Sequence, residues 1–167
     1  LAKNITLDKS EIEHEANQTV TLVVTVLPET TTNKSVIWKS SNTSVATVDA
    51  YGKVTTVSVG EATITATTVD GTNLSASCKI TVIQLAESIA LNKTTVSLKA
   101  TETITLNATV LPATTTNKSV TWTSSNEAVA TVDANGVVTA IAVGEAVITV
   151  TTTDGTNLSA TCRVTVV

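Results

Sequence analysis

The sequence repeats itself once, with a lag of 84 residues. Residues 1–83 align with residues 85–167 without a gap, and about 51 of these 83 positions are identical. Self-similarity at one fixed lag along the whole chain indicates two copies of one folding unit. Each copy is long enough to bury a modest core without a metal or a disulfide. We therefore predict two domains, residues 1–84 and residues 85–167.

The composition favours strands in both copies. The chain contains no Phe and no Met, and only 2% of its residues are aromatic. Thr and Val are abundant, and β-branched residues of this kind suit the pleated, half-buried surface of a sheet. Nowhere does an apolar spacing of 3.6 residues persist for three turns. The predicted fold class is all-β.

Seven short antiparallel strands are predicted in each copy. In the first copy, turn residues such as Pro28, Gly52 and Gly60 separate segments in which apolar and polar residues alternate. Seven such strands in about 84 residues are typical of a two-sheet β-sandwich of immunoglobulin type. The predicted strands of the first copy comprise residues 5–7, 19–27, 36–40, 45–49, 53–57, 61–69 and 75–83.

An odd number of alternating strands predicts that the chain enters a sandwich at one end and leaves it at the other. We therefore expect the two units to be joined end to end. Residues 82–86 between them are apolar apart from Gln84 and contain neither Gly nor Pro, so we expect limited bending. With a strand rise of about 3.3 Å per residue, each unit should span about 35 to 45 Å and two units roughly 80 Å.

The most faithfully repeated stretch reads V-x-W-x-S-S-N-x-x-V-A-T-V-D-x-x-G-x-V-T, followed by G-x-A-x-I-T and a final strand that ends in T-V. This pattern covers nearly the whole of both copies and resembles the bacterial immunoglobulin-like domain of group 2. The resemblance implies fold-defining roles for its marked residues. These are the core residues Trp38 and Trp122, the turn residues Asp49 and Asp133, and the turn glycines Gly52, Gly136, Gly60 and Gly144.

Domains of this family occur in tandem in bacterial adhesins, in secreted glycan-degrading enzymes and in phage structural proteins. The resemblance therefore implies a non-catalytic structural or stalk module of a secreted or cell-surface protein, which spaces and presents a functional domain. Its expected partners are the neighbouring domains of the same polypeptide. Two alternatives stay open: an accessory module that contacts a host protein, cell-wall polymer or glycan, and a phage virion decoration domain.

The two cysteines, Cys78 and Cys162, occupy the same position in the two copies. One thiol per unit excludes a bridge within a unit, and equivalent points one domain length apart lie beyond the Cα separation of about 7 Å that a disulfide can join. By alternation Cys78 shares a face with Ile80 and Val82. We interpret both cysteines as buried free thiols that act as small apolar residues.

The residues give no support for catalysis. The single histidine, His14, aligns with Leu98 in the second copy, so no repeated general base is present. The acidic residues lie mainly in turns, where Asp is favoured for local hydrogen bonding. We predict that the chain is not an enzyme.

Metal binding is a weak possibility at four aspartates in the D-A-Y-G, D-A-N-G and D-G-T-N turns, namely Asp49, Asp70, Asp133 and Asp154. Calcium requires several converging oxygen ligands, and none of these segments matches an EF-hand loop. We favour a turn role for all four, with weak calcium binding as the alternative and no other cofactor.

The net charge of −4, without a run of Lys or Arg, argues against nucleic-acid binding. No apolar segment approaches the roughly 20 residues that a membrane span needs, and we expect a monomer. The start of the sequence lacks a signal-peptide pattern, and we interpret it as an internal fragment. Only Tyr51 offers an aromatic surface for a sugar outside the Trp pair, and Asn135 replaces it in the second copy. The turns T-T-T-N-K-S and D-G-T-N-L-S recur in both copies, which favours a spacer over specialised recognition.

Overall fold

The computed structural model describes all residues from Leu1 to Val167, and it contains strands and turns. No helix in it has the length and apolar character needed to cross a membrane. The chain divides into two compact units, unit 1 (Leu1–Gln84) and unit 2 (Leu85–Val167). The strands of unit 1 are β1 (Asn4–Leu7), β2 (Glu11–Glu15), β3 (Thr19–Thr21), β4 (Val24–Leu27), β5 (Val36–Ser40), β6 (Ala46–Val48), β7 (Lys53–Thr56), β8 (Gly60–Thr68) and β9 (Ser75–Ile83). Those of unit 2 are β10 (Ser88–Leu91), β11 (Thr95–Leu98), β12 (Thr103–Thr105), β13 (Ala108–Leu111), β14 (Val120–Ser124), β15 (Ala130–Val132), β16 (Val137–Ala140), β17 (Gly144–Thr152) and β18 (Ser159–Val166).

Each unit is built from a four-stranded sheet, a three-stranded sheet and a separate strand pair. In unit 1 the sheet orders are β2-β9-β8-β5 and β3-β7-β6, and β1 pairs with β4. Unit 2 repeats this arrangement as β11-β18-β17-β14, β12-β16-β15 and β10-β13. Alternate residues of these strands point into a shared interior. The prediction of an all-β sandwich of immunoglobulin type is confirmed.

The structure has nine strands in each unit where the sequence predicts seven. One additional strand is β2, whose sequence E-I-E-H-E shows little apolar alternation, so its identity as a strand depends on pairing with β9. The other arises because the single strand predicted over residues 19–27 is divided into β3 and β4, which belong to different sheets.

The division between β3 and β4 occurs at Val23. The Leu22 N–H donates to the Gly52 carbonyl (2.9 Å), which keeps β3 beside β7. The next residue turns instead to Asp8, because the Val23 N–H donates to the Asp8 carboxylate (2.7 Å) and the Asp8 N–H donates to the Val23 carbonyl (3.0 Å). The apolar residue at every second position continues through this point from Val20 to Val26, so the transfer between sheets depends on a contact 15 residues away in the sequence.

The pairing of β2 with β9 is parallel, whereas every other pairing in unit 1 is antiparallel. This corrects the expectation of antiparallel strands alone. Ala2 at the start of the unit is bonded to Asp70 in the turn after β8. At the other end, Val82 near the end of β9 pairs with Gly60 at the start of β8. The chain therefore enters unit 1 at one end of β8 and leaves it at the opposite end.

The interior of each unit contains mainly Val, Ile, Leu, Ala and Cys side chains. The buried apolar residues of unit 1 include Leu22, Val54, Ile64, Cys78, Ile80 and Val82, and their counterparts in unit 2 are Leu106, Val138, Ile148, Cys162, Val164 and Val166. Trp38 and Trp122 are half-buried and pack against these clusters. The lone Trp of each copy therefore closes the side of a core made of smaller side chains.

One backbone position differs in strain between the units. Asn17 has a φ of 64°, which Asn tolerates, whereas its counterpart Thr101 has a φ of 74°. A β-branched residue with positive φ is a conformational outlier. The Thr101 N–H donates to the Ala140 carbonyl (2.9 Å), as the Asn17 N–H does to the Thr56 carbonyl. The fold therefore imposes the same turn on both sequences.

Candidate functional site

The repeated tryptophans lie against the backbone of the repeated glycines. A Cβ at Gly52, where φ is +80°, would lie 2.7 Å from Cζ2 of Trp38 and 2.7 Å from the Leu22 carbonyl oxygen. At Gly136, where φ is +77°, the corresponding distances to Trp122 and the Leu106 carbonyl are 2.8 Å and 2.5 Å. This turn therefore requires Gly for two reasons: the positive φ, and the close approach of the Trp ring, which leaves no room for a Cβ.

The second pair of glycines approaches a valine. A Cβ at Gly60 would lie 2.8 Å from Cγ2 of Val45, and a Cβ at Gly144 would lie 2.9 Å from Cγ2 of Val129. Both glycines begin the long strands β8 and β17. Their absent side chains let the β5–β6 loop, which holds Val45, and the β14–β15 loop, which holds Val129, pack closely on the start of these strands.

The S-S-N step is a hydrogen-bonded turn in which each side chain has a separate partner. The Ser40 hydroxyl donates to the Ala46 carbonyl (2.6 Å), the Ser41 hydroxyl accepts from the Thr63 N–H (2.8 Å), and the Asn42 side-chain oxygen accepts from the Ser44 N–H (3.1 Å). Unit 2 repeats this arrangement at Ser124, Ser125 and Asn126. The step joins β5 to β6 and β8, which explains its retention in structural terms.

Asp49 and Asp133 cap the turns that contain the glycines. One carboxylate oxygen of Asp49 accepts from the Tyr51 N–H (2.8 Å) and the Lys53 N–H (2.9 Å). Asp133 accepts in the same way from Asn135 (2.8 Å) and Val137 (2.9 Å). These aspartates hold the hairpin turn closed.

Asp70 and Asp154 lie in the turn between the two longest strands of each unit. One oxygen of Asp70 accepts from the N–H (3.1 Å) and the hydroxyl (2.5 Å) of Thr72, and the other accepts from the Ala2 N–H (2.5 Å). The Thr72 hydroxyl and then the Ala2 N–H lower the pKa of Asp70 to about 2. In unit 2, the Thr156 hydroxyl and the Ala86 N–H lower the pKa of Asp154 to about 2.

Within each unit the two aspartates belong to different turns, which in unit 1 are the β6–β7 turn for Asp49 and the β8–β9 turn for Asp70. The structure contains no group of three or more His, Cys, Asp or Glu side chains that could hold an ion. Each of the four carboxylates accepts N–H groups of its own turn. Calcium binding at Asp49, Asp70, Asp133 and Asp154 stays a prediction, which a calcium-dependent rise in melting temperature would support.

Cys78 and Cys162 are fully buried free thiols. They lie on β9 and β18, opposite Ile64 and Ile148 of the neighbouring strands. Burial raises the pKa of both thiols, which disfavours the reactive thiolate. His14 is half-buried on β2, and its counterpart Leu98 is part of the core of unit 2.

A surface groove adjoins Trp38 in unit 1. Its volume is about 470 Å³, and its lining includes Trp38, Val23, Val36 and Tyr51 together with Lys34 and the hydroxyl residues Thr21 and Ser35. Tyr51 is 87% exposed and Val23 is 57% exposed. Their counterparts in unit 2 are Asn107 and Asn135. The apolar and aromatic character of this groove is therefore a property of unit 1.

Sequence reasoning identified the turn residues but not all their partners. The bonds from Asp70 to Ala2 and from Asp154 to Ala86 join positions 68 residues apart. The signal for them is the exact repetition of D-G-T-N-L-S-A together with L-A at the start of each copy. Spacing along the chain could not show that these two segments meet.

The fold and these residues define a class of protein, tandem sandwich modules of immunoglobulin type whose repeated residues hold cores and turns. The model of the family described as bacterial Ig-like domain (group 2) matches residues 1–80 and 86–164. The chain belongs to this family, which confirms the resemblance of the sequence pattern.

Several relatives contain a similar sequence. A protein of Clostridium acetobutylicum without an assigned role is 46% identical over 164 residues, which make up 98% of this chain and 17% of that protein. The Ig-like virion protein of Serratia phage KSP90 is 36% identical over 98% of this chain and 65% of its own length. A 3-O-alpha-D-galactosyl-alpha-L-arabinofuranosidase of Bifidobacterium longum is 47% identical over 42% of this chain and 6% of its own length. The chain thus spans less than two thirds of the length of each of these relatives.

Solved structures include two surface proteins with lower similarity. Domains 1–6 of the surface layer protein SbsC align with a TM-score of 0.46 and 21% identity, over 99% of this chain and 28% of that chain. A C-terminal fragment of intimin, in complex with the intimin-binding domain of its translocated receptor, aligns with a TM-score of 0.47 and 20% identity, over 99% of this chain and 64% of that chain.

Replacement of Gly52 by Ala should destabilise unit 1 strongly, because the new Cβ meets both a ring and a carbonyl oxygen. We expect a loss of more than about 2 kcal/mol in chemical denaturation. Gly71→Ala is the matched control, since Gly71 has a φ of +93° but no atom within 4 Å of an added Cβ. It should lose only about 1 kcal/mol. Equal losses in the two variants would contradict the role of the Trp38 contact.

Acid should weaken both units through Asp70 and Asp154. Their pKa in the folded state, about 2, lies below the ordinary value of 3.8, so the unfolded chain binds more protons as the pH falls. The stabilisation is present above about pH 4 and is lost towards pH 2. Urea unfolding midpoints should fall across this window, and the Asp70→Asn, Asp154→Asn double variant should show a shallower fall. An identical pH dependence in the variant would refute the assignment.

Proposed function

We propose that this chain is a non-catalytic spacer in a secreted or cell-surface protein, where it holds another domain away from its point of attachment. The observation that carries the proposal is the position of the two ends of each unit. Ala2 lies at the β8–β9 turn, and Val82 lies beside Gly60 at the far end of β8. A module with ends so placed adds its own length to the distance between its neighbours.

The strand pairing supports resistance to stretching. The parallel strands β2 and β9 pair over Glu11–Glu15 and residues 79–83. Force on the two ends of the unit would pull β2 backwards and β9 forwards along their common axis. Ladder hydrogen bonds lie across the strands and would bear such a load together. The separate pairing of β1 with β4 adds a second ladder near the entry point.

The relatives support a modular role. The matched segments make up 17% of the Clostridium protein and 6% of the arabinofuranosidase. Segments similar to this chain are therefore parts of much longer polypeptides. The similarity to the Ig-like virion protein supports a place for a unit of this kind in a larger surface assembly. These relationships support an extracellular or surface location and partners within the same polypeptide.

Single-molecule pulling on the full chain tests the load-bearing pairing. The Lys79 N–H donates to the Ser10 carbonyl (2.8 Å), and the alternation of a parallel ladder then assigns Ile12 and His14 as the donors of β2. Pro lacks this donor, so His14→Pro should lower the unfolding force of unit 1. Unit 2 in the same molecule is the internal reference. Glu13→Pro is the control, because the Glu13 N–H points away from β9, and equal forces for the two variants would contradict the proposal.

A second candidate function is ligand binding at the groove beside Trp38. The specific observation in its favour is that Tyr51 and Val23 are exposed in unit 1 and are replaced by Asn in unit 2. Exposed aromatic rings with hydroxyl groups around them are typical of surfaces that bind sugars or proteins. A glycan array probed with the chain and with Tyr51→Asn tests this role. Binding that is lost in the variant supports it, whereas the absence of any signal, or a signal unchanged in the variant, removes the groove as a glycan site.

A further inference from the structure

The turn between β15 and β16 contains an Asn-Gly step, and this step occurs nowhere else in the chain. Asn135 is exposed, whereas Gly136 is buried. The corresponding step of unit 1 is Tyr51-Gly52. A side-chain amide that precedes glycine is open to attack by the next backbone nitrogen, because glycine has no side chain to obstruct the approach. The two units therefore share a turn but differ in its chemistry.

The reaction open to Asn135 is deamidation. The Gly136 nitrogen, after losing its proton to hydroxide, attacks Cγ of Asn135. The new C–N bond closes a cyclic succinimide, and the side-chain nitrogen takes a proton from water and leaves as ammonia. Water then adds to either ring carbonyl and opens the ring. One opening leaves an aspartate at position 135, and the other leaves an isoaspartate, whose main chain runs through the former side-chain carbon.

The folded turn holds the attacking nitrogen away from this reaction. The Gly136 N–H donates to the Asp133 carbonyl (3.1 Å), and the Gly136 carbonyl accepts from the Leu106 N–H (2.9 Å). One carboxylate oxygen of Asp133 also accepts from the N–H groups of Asn135 (2.8 Å) and Val137 (2.9 Å). Loss of the Gly136 proton and rotation of its nitrogen towards the side chain therefore require the turn to open.

The same turn has no room for the isoaspartate product. That product has an additional main-chain carbon between position 135 and the Gly136 nitrogen. Gly136 lies so close to its neighbours that a Cβ on it would be 2.8 Å from Cζ2 of Trp122 and 2.5 Å from the Leu106 carbonyl oxygen. A longer main chain here displaces either the contact with Trp122 or the bonds to Asp133.

The two Asp-Gly steps of the chain are protected in a different way. A carboxyl group closes the same ring with loss of water, and it does so far more readily when it is protonated. The Thr156 hydroxyl and the Ala86 N–H lower the pKa of Asp154, which precedes Gly155, to about 2. Its carboxylate is therefore ionised at neutral pH and is a poor target for attack. The Asn135 amide is neutral at any pH near neutrality, so only the folded turn protects it.

We propose that Asn135 is a site of spontaneous deamidation that the folded turn protects, and that the isoaspartate product prevents unit 2 from refolding. Unfolding of unit 2 is thereby recorded as a covalent change. Unit 1, which has Tyr51 at the corresponding position, unfolds without this change. The proposal concerns one turn of one unit and does not depend on the spacer function.

Peptide mass spectrometry of the full chain, kept in buffer and in guanidinium chloride at one pH and temperature, tests the protection. Asn135 should convert before any other asparagine in denaturant, and at least about tenfold more slowly in buffer, because several hydrogen bonds must break first. Asp133→Ala removes the carboxylate that holds the turn and should raise the rate in buffer. Asp49→Ala, the matched change in unit 1, should leave the rate at Asn135 unchanged.

Equal rates in buffer and in denaturant would overturn the proposal, as would equal effects of the two alanine variants. Should Asp133→Ala leave unit 2 unfolded, the comparison of the unchanged chain in buffer and in denaturant still decides the matter. Tyr51→Asn places the Asn-Gly step in unit 1, where Asp49 holds the same turn. Position 51 should then convert in denaturant as Asn135 does.

The consequence for refolding is tested with chains kept in denaturant and separated into aspartate and isoaspartate forms. On dilution, the isoaspartate form should fail to recover the NMR signal of the folded Trp122 indole, while the Trp38 signal of unit 1 returns as the internal reference. Asn135→Asp carries the same added charge on an unaltered main chain and should recover both signals. Full recovery of the Trp122 signal in the isoaspartate form would contradict the proposed block to refolding.

Discussion

The packing of each unit depends on the approach of its Trp ring to the backbone of a Gly. In unit 1 this contact joins Trp38 and Gly52. The chain has no Phe and no Met, and the interior contains mainly smaller side chains, with one large aromatic ring packed against them in each unit. Trp38 packs against both buried clusters of unit 1. A ring so placed needs a neighbour without a side chain, and the turn needs a residue with positive φ. Gly52 meets both requirements, and Gly136 meets them for Trp122.

With the core closed in this way, polar turns supply the specificity that a disulfide supplies in many other sandwiches. Both thiols are free, so no covalent bond joins the sheets. Instead, short side chains such as Ser40, Ser41 and Asp49 bond to backbone groups of the next strand or of their own turn. Each such bond contributes only about 1 kcal/mol, but together they fix where each strand begins. This requirement explains why the two copies have the same residues in these turns.

Much of the fold could be predicted because the strand signals are local. Alternation in residues 61–69 and 75–83 corresponds to β8 and β9 with small differences at their ends. Prediction was less complete where the decisive contact is distant. An apolar residue occupies every second position from Val20 to Val26, yet Asp8 transfers the chain to another sheet at Val23. Similarly, E-I-E-H-E has no local strand signal and becomes β2 because β9 pairs with it. The contacts of Asp70 with Ala2 and of Asp154 with Ala86 could not be predicted for the same reason, because their partners lie 68 residues apart in the sequence.

The differences between the two copies are informative about what the fold requires. β2 is an edge strand, and it exposes Glu11, Glu13 and Glu15. The corresponding positions of unit 2 are Thr95, Ser97 and Lys99.

An exposed edge can pair with another strand, and charged side chains oppose such pairing. This hazard is greatest among similar neighbouring units, which can exchange strands during folding. Edge residues must only prevent unwanted pairing, and many sequences satisfy that condition. Buried residues such as Ile64 and Ile148 must instead fit one register, so the copies diverge freely at their edges and keep apolar side chains of similar size in most of their interiors.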